Sequence, residues 1–281
     1  MSQPARASAA RPHPLGAEAI VAGLETRWLA RELRCLERTD STMRVVAEAA
    51  LGGAAHGSAV IAEEQTAGRG RLGRSFHSPA GTNLYTSILL RPTPPGMLAP
   101  TLVLASGVAV AECVAAWLGA PERVDLKWPN DVRIDGRKVS GILVELTSAA
   151  GAPSFAVLGI GVNLNVDPAT FPEEFRRRAT SLSAAAGGRA VDRVAFAQRL
   201  YGSLERVLDL HATAGFHALR PRFDAWFRMR GERVRVREPG DRVFDGTAVG
   251  VDADGALRIA QGGAERRVVA GEVTLLPEEG A

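Results

Sequence analysis

The segment from Gln65 to Phe76, Q-T-A-G-R-G-R-L-G-R-S-F, holds the densest reactive chemistry in the chain. Gly68, Gly70 and Gly73 alternate there with Arg69, Arg71 and Arg74. Glycine lacks a Cβ, so such a backbone can take positive φ and bring its N–H groups close to a ligand. Arginine adds fixed, forked donors that pair with carboxylate or phosphate oxygens. A segment both pliable and cationic reads as a loop that closes over an anion. It matches neither the Walker pattern nor the dinucleotide glycine fingerprint. A nucleic-acid-binding arginine–glycine segment and a plain solvated loop are the other readings of these residues taken alone.

Three further stretches carry groups of matching chemistry. In Lys127-Trp128-Pro129-Asn130-Asp131 a strand delivers a cation, proline stops the ladder, and Asn-Asp exposes two oxygen ligands in a turn. Asp131 beside phosphate-binding groups would suit Mg²⁺, which takes one or two carboxylates plus phosphate oxygens. A structural Asx turn is the alternative. In Gly136 to Glu145, Lys138 enters an otherwise apolar strand and Gly141 follows three residues later. Glycine within a strand marks close approach of a ligand or another backbone. In Gly159-Ile160-Gly161-Val162-Asn163-Leu164-Asn165, two glycines leave room over a strand for a flat ligand.

Elements must hold these groups in place. Ile20, Val21, Leu24, Trp28, Leu29 and Leu33 recur at helical spacing and predict an amphipathic helix over Ala17 to Arg34. Cys35 to Arg38 reads as a short strand, and Asp40-Ser41-Thr42 offers N-cap residues for a helix to Leu51, stopped by Gly52-Gly53. Ser58 to Glu63 and Asn83 to Leu90 read as strands. Val124 to Lys127, Val132 to Ile134, Lys138 to Leu146 and Phe155 to Leu164 follow, with Asp135-Gly136 as a hairpin turn. Tight turns between consecutive strands imply a largely antiparallel sheet. After Pro172 the pattern is helical, mainly Arg193 to His211 and Phe216 to Arg228. From Gly231, short strands separated by Gly- and Asp-containing turns predict a small barrel.

Composition bounds the remaining choices. With 281 residues, 46% hydrophobic and 23% charged, the chain fits one sizeable globular domain plus a small one. A formal charge of +3 is too small to argue for bulk nucleic-acid binding. Nearly all the basic residues are arginine, and Lys127 and Lys138 are the only lysines. Two cysteines, Cys35 and Cys113, suit a reducing compartment, and we expect a cytoplasmic protein without a membrane span. The run Met97 to Leu118 is apolar but holds Pro100, Glu112 and many small residues, so a buried helix is expected. Residues 1–16 are Ala/Pro/Arg-rich without an acidic group and read as a disordered tail. Residues 17–229 are then expected as the main domain and 230–279 as the barrel.

In their order along the chain, Asp40-Ser41-Thr42, the Gly68 to Arg74 loop, Lys127 to Asp131, Gly136 to Glu145 and Gly159 to Asn165 resemble biotin protein ligase, that is, biotin–[acetyl-CoA-carboxylase] ligase. The likeness runs from about Leu36 to Leu276 and includes the Gly271-Glu272-Val273 ending of the barrel. It implies an α+β fold of the class II synthetase/biotin ligase type: a mixed, largely antiparallel sheet flanked by helices, plus a C-terminal SH3-like barrel. It further implies that biotin and ATP are joined with Mg²⁺ as biotinyl-5′-AMP. The biotin then passes to one lysine of a biotin carboxyl carrier protein, such as that of acetyl-CoA carboxylase. By that resemblance Ser41, Thr42, Gln65, Gly68, Arg69, Gly70, Arg71, Lys138 and Gly141 contact biotin. Arg71, Arg74, Phe76, Asn130, Asp131, Lys138 and Asn163 fall on the ATP side, with Asp131 as the magnesium ligand. Lys138, Arg69 and Arg71 are the catalytic cations.

The chain departs from the family pattern at Met43, Leu72 and Phe76, where Asn, Arg and Trp are common. The segment before Cys35 is too short for a helix-turn-helix domain, so the short form of the family, without DNA binding, is expected. A homodimer is one assembly the family uses. A lipoate or octanoyl ligase of the same superfamily, a nucleic-acid-binding regulator and a non-catalytic biotin-binding module stay open as alternatives.

Overall fold

The computed structural model describes residues 15–91, 99–149 and 152–276. Seven strands, β1 (Leu33–Thr39), β2 (Ala59–Gln65), β3 (Leu84–Leu90), β4 (Val124–Lys127), β5 (Asp131–Ile134), β6 (Arg137–Ala149) and β7 (Ala152–Val162), form one sheet in the order β1-β2-β3-β7-β6-β5-β4. β1 and β2 run parallel because helix α2 (Thr42–Leu51) crosses between them, and every other neighbouring pair is antiparallel. The sheet is therefore mixed and largely antiparallel, as the turn signals predict. Asp135 and Gly136 both take positive φ in the β5–β6 turn, as the Asp-Gly pair requires.

The central strand β3 is buried at every position, so it reads as an apolar run rather than an alternation. Leu84, Ile88 and Leu90 join the main core together with α3 (Ala99–Leu118) and α6 (Arg193–Trp226). On the opposite face Leu89 packs with Val60, Val157, Phe155 and α2 residues Met43, Val46 and Ala50. Helix α3 is apolar nearly all round because sheet and α6 enclose it. The run was predicted to begin at Met97, which lies outside the described residues. Asp192 caps α6 by accepting from the N–H groups of Val194 and Ala195, and Gly215 (φ 70°) breaks it into the two predicted helical segments.

The expected helix from Ala17 to Arg34 is not formed. Helix α1 spans only Ala17–Ala22 and ends at Gly23. The next ten residues run irregularly along α6, where the Glu205 carboxylate accepts the N–H groups of Arg27 (2.9 Å), Trp28 (2.9 Å) and Leu29 (3.0 Å). Burial opposes that charge, but the three backbone donors outweigh it and hold Glu205 below the usual carboxylate range. Ile20, Leu24 and Leu29 are still core residues, so the periodicity located the core and not the backbone. At the other end of the segment, Leu15 is buried and donates its N–H to Glu63 Oε1 at 2.6 Å, so the expected tail stops short of residue 16. Residues 1–14 of that tail lie outside the described residues.

A second, five-stranded antiparallel sheet follows, with β8 (Arg233–Arg237), β9 (Val243–Val251), β10 (Leu257–Gln261), β11 (Ala264–Val268) and β12 (Glu272–Leu275) in the order β11-β10-β9-β8-β12. Val234, Val236, Val251, Leu257, Ile259, Val268 and Val273 alternate inward and form its interior. It docks on the main sheet through Trp128, whose indole N–H donates to Gly255 O at 2.9 Å. The last barrel residues expected, 277–279, lie outside the described residues.

Candidate active site

The open face of the main sheet owes its shape to one rung. Tyr85, Gly161, Gly141, Asp131 and Lys127 are successive register partners across β3, β7, β6, β5 and β4. Directly opposed residues share a face, so two glycines form a floor that leads to a carboxylate and then an ammonium. A Cβ at Gly161 would lie 2.6 Å from the Phe76 ring, and one at Gly141 would lie 3.0 Å from Lys138 Nζ. At Gly159 it would meet Met43 Sδ at 2.7 Å. The glycines thus let an aromatic ring, a cation and a thioether rest on the sheet itself.

A polar wall stands at the N-terminus of α2. Gln65 Oε1 accepts from both the N–H (2.9 Å) and the hydroxyl (3.0 Å) of Thr42, whose Oγ1 lies 2.8 Å from Ser87 Oγ. Gln65 Nε2 donates to Ser78 Oγ at 3.2 Å. Gly68 must lack a side chain here, because its Cβ would sit 2.5 Å from Phe76 O and 2.6 Å from Ser78 Oγ. Ser41 holds the N-cap position predicted for it, yet its side chain does not cap the helix. Its buried Oγ has no hydrogen-bond partner among the described residues. A buried hydroxyl in that state is costly unless a ligand completes it.

The Gly/Arg loop folds over this wall as a small self-paired hairpin. Gly70 N–H donates to Arg74 O (2.7 Å) and Phe76 N–H to Gly68 O (2.8 Å), while Leu72 and Gly73 turn the tip with positive φ. Its arginines reach three different elements. Arg69 pairs in a fork with Glu145 of β6 at 2.9 and 3.0 Å. Arg71 donates to Asn130 Oδ1 (3.5 Å) and to Gly271 O (3.0 Å), and Arg74 pairs with Glu272. Burial pulls Arg71 below the usual guanidinium range and Arg74 adds to that, while Asp131 opposes it; the group still carries its charge. Lys138 Nζ lies 2.7 Å from Asp131 Oδ1 and 5.9 Å from the Phe76 ring centre.

These groups enclose a cavity of about 50 Å³, whose lining includes Ser41, Thr42, Gln65, Arg69, Gly70, Arg71, Phe76, Asn130, Lys138 and Gly141. Sequence reasoning therefore brings ten residues to one place. Gly68 and Arg74 line the groove on the outer side of the loop instead, and Asp131 meets the cavity through Lys138. Asn163 stands apart: its amide donates to Thr180 O at 3.1 Å behind the end of β7, and it does not line the cavity. Thr86 and Ser87 line the cavity and were missed. Their signal was a Thr-Ser pair inside an otherwise apolar, wholly buried strand. Met43 lines it with an apolar thioether where the family pattern has a polar group.

Comparison with known proteins gives the family. A model described as the biotin/lipoate A/B protein ligase family matches residues 35–163, and one described as the biotin protein ligase C terminal domain matches residues 231–276. Biotin–[acetyl-CoA-carboxylase] ligase of Mycobacterium tuberculosis is 39% identical over 253 residues, covering 88% of this chain and 90% of the relative. The bifunctional ligase/repressor BirA of Bacillus subtilis is 32% identical over 265 residues, covering 94% of this chain and 80% of the relative. Among solved structures, biotin protein ligase from Aquifex aeolicus in complex with biotin and ATP superposes with a TM-score of 0.75 at 31% identity, over 88% of this chain and 99% of that one. With these identities and coverages and a shared fold, the chain belongs to the biotin/lipoate A/B protein ligase family, among its biotin protein ligases.

Proposed function

We propose that this chain activates biotin with ATP as biotinyl-5′-AMP and transfers the biotin to a lysine of a biotin carboxyl carrier protein. The observation that carries the reading is the joining of two unlike surfaces in one cavity. The Ser41–Thr42–Gln65–Ser87 wall offers neutral donors and acceptors suited to a ureido ring. The Arg69, Arg71 and Lys138 side offers fixed positive charge. A carboxylate oxygen attacking the α-phosphorus brings two anions together, and preorganised cations offset that repulsion where charge develops. In this reading Lys138 bridges both anions, while Arg69 and Arg71 close from the loop. Phe76 covers the glycine floor and keeps water from the mixed anhydride. A cavity of about 50 Å³ holds a few waters rather than a bicyclic acid, so the loop lifts for biotin to enter.

Among the described residues no three His, Cys, Asp or Glu side chains cluster as a metal cage. Asp131 fits Mg²⁺ as a single protein carboxylate, with phosphate oxygens and water as the other ligands. The ion would add charge neutralisation at the phosphates. Cys35 and Cys113 are both free thiols, in keeping with a reducing compartment.

The test is biotin transfer by the purified chain with ATP, Mg²⁺ and a biotin carboxyl carrier domain. The acceptor lysine should become labelled with biotin, and lipoate should not replace it. Faster transfer of lipoate, or no transfer of either acid, would overturn the reading.

A further inference from the structure

The groove on the outer side of the arginine loop holds chemistry that activation of biotin leaves unused. Loop residues Ala67 to Ser75 form one side of it, and Leu143 and Glu145 of β6 form the other. Leu143 and Glu145 are two residues apart on one strand and so share a face. Leu72 stands at the loop tip with 67% of its surface exposed. Arg69, Gly70, Arg71 and Leu143 line both the groove and the cavity described above, so the two spaces share one wall. Among the described residues lining either space, Glu145 is the one carboxylate, against the cations Arg69, Arg71, Arg74 and Lys138. Arg69 ends on that carboxylate in a fork at 2.9 and 3.0 Å, so a single residue spans from Glu145 to the cavity. The pair is open to water, 50% and 37% exposed, and exposed pairs are weak enough to exchange with an entering charge.

Leucines along a groove with one carboxylate at its rim match the two halves of a lysine side chain, an apolar methylene stem and a cationic tip. In the proposed function the second substrate is such a lysine, and it must approach a site otherwise lined by cations that repel it. We infer that Glu145 receives the acceptor lysine of the carrier protein, with Leu72 and Leu143 packing along its stem. The arriving ammonium takes the place of Arg69 on the Glu145 carboxylate, and Arg69 is left to the phosphate of the intermediate. In transfer the ammonium first gives one proton to water in the open groove. The nitrogen lone pair then bonds to the biotinyl carbonyl carbon. The bond from that carbon to the phosphate oxygen breaks, and AMP leaves with the electron pair. The excess proton on the new amide nitrogen passes to water. Glu145 thus serves capture of the acceptor and not formation of the adenylate.

This inference rests on the ligase reading, and its test separates the two. Wild type, Glu145→Gln and Glu145→Asp are compared with a biotin carboxyl carrier domain and with hydroxylamine, a neutral nucleophile that traps the intermediate as biotinyl hydroxamate. In Glu145→Gln the KM for the carrier domain should rise about tenfold, as expected for one lost charge-assisted contact, with kcat within about twofold. Hydroxamate formation should stay within about twofold of wild type, and Glu145→Asp should recover most of the carrier KM. An unchanged carrier KM in Glu145→Gln overturns the assignment. So does a parallel fall in hydroxamate, because Glu145 then acts through Arg69 on the intermediate. A carrier domain with methionine in place of its acceptor lysine should inhibit wild type and Glu145→Gln equally. Stronger inhibition of wild type also overturns the assignment, because the carboxylate then reads another part of the carrier. If wild type forms no hydroxamate, the ligase reading fails and takes this inference with it. If hydroxamate forms normally and only the carrier results miss, the reading stands and Glu145 alone is misassigned.

Discussion

The two sides of the cavity are built on opposite principles. The α2–β3 wall is buried and already bonded to itself: Thr42 is 2% exposed, Ser87 0%, and their hydroxyls share a network with Gln65. The arginine loop is anchored by ion pairs at its exposed margin, Arg69–Glu145 and Arg74–Glu272, with arginines 50% and 61% exposed. Buried hydrogen-bonded groups cost about 1–3 kcal/mol each when orphaned, whereas exposed pairs contribute about 1 kcal/mol or less. In the proposed function the fully buried part recognises the neutral ring, while Arg69 and Arg71 bring charge on the exposed loop and Lys138 brings it from β6.

Variants can break this comparison from either side. The largest effect is expected at Lys138, which in the proposed function serves both anions. Lys138→Ala should slow adenylate formation about 10²- to 10³-fold with little change in thermal midpoint, read by single-turnover formation of biotinyl-5′-AMP. On the wall, Thr42→Val leaves Gln65 Oε1 and Ser87 short of a partner. Biotin affinity should fall about 10- to 100-fold, measured by calorimetry, with the loop's behaviour unaltered. On the loop, Arg71→Gly removes the contacts to Asn130 and Gly271. The intermediate should then escape about tenfold faster and label bystander lysines. The smallest change is expected for Glu272→Ala, which cuts an exposed pair between loop and barrel. Release of the intermediate should rise about two- to fivefold, with biotin affinity unchanged. Equal losses of biotin affinity in Thr42→Val and Glu272→Ala would erase the distinction between wall and loop.

What the sequence made legible was whatever chemistry is local. The Gly/Arg alternation, the Lys-Trp-Pro-Asn-Asp turn and the Asp-Gly hairpin each declare themselves within a few residues, and ten expected site residues do meet in one cavity. Contacts closed over long separations stayed hidden. Glu205 satisfies backbone donors nearly 180 residues upstream and so replaces the helix that the spacing from Ile20 to Leu33 predicted. The carbonyl of Gly271 and the carboxylate of Glu272 reach the loop from the barrel, which no pattern near Arg71 or Arg74 announces. Asn163 shows the reverse case: the resemblance sets it on the ATP side, whereas its amide donates to Thr180 O and it does not line the cavity.

The central claim, that this cavity joins a biotin carboxylate to the α-phosphate of ATP, is tested most directly by exchange of labelled pyrophosphate into ATP. The account predicts exchange that requires biotin and collapses in Lys138→Ala. Exchange in the absence of biotin, or undiminished exchange in Lys138→Ala, would contradict it.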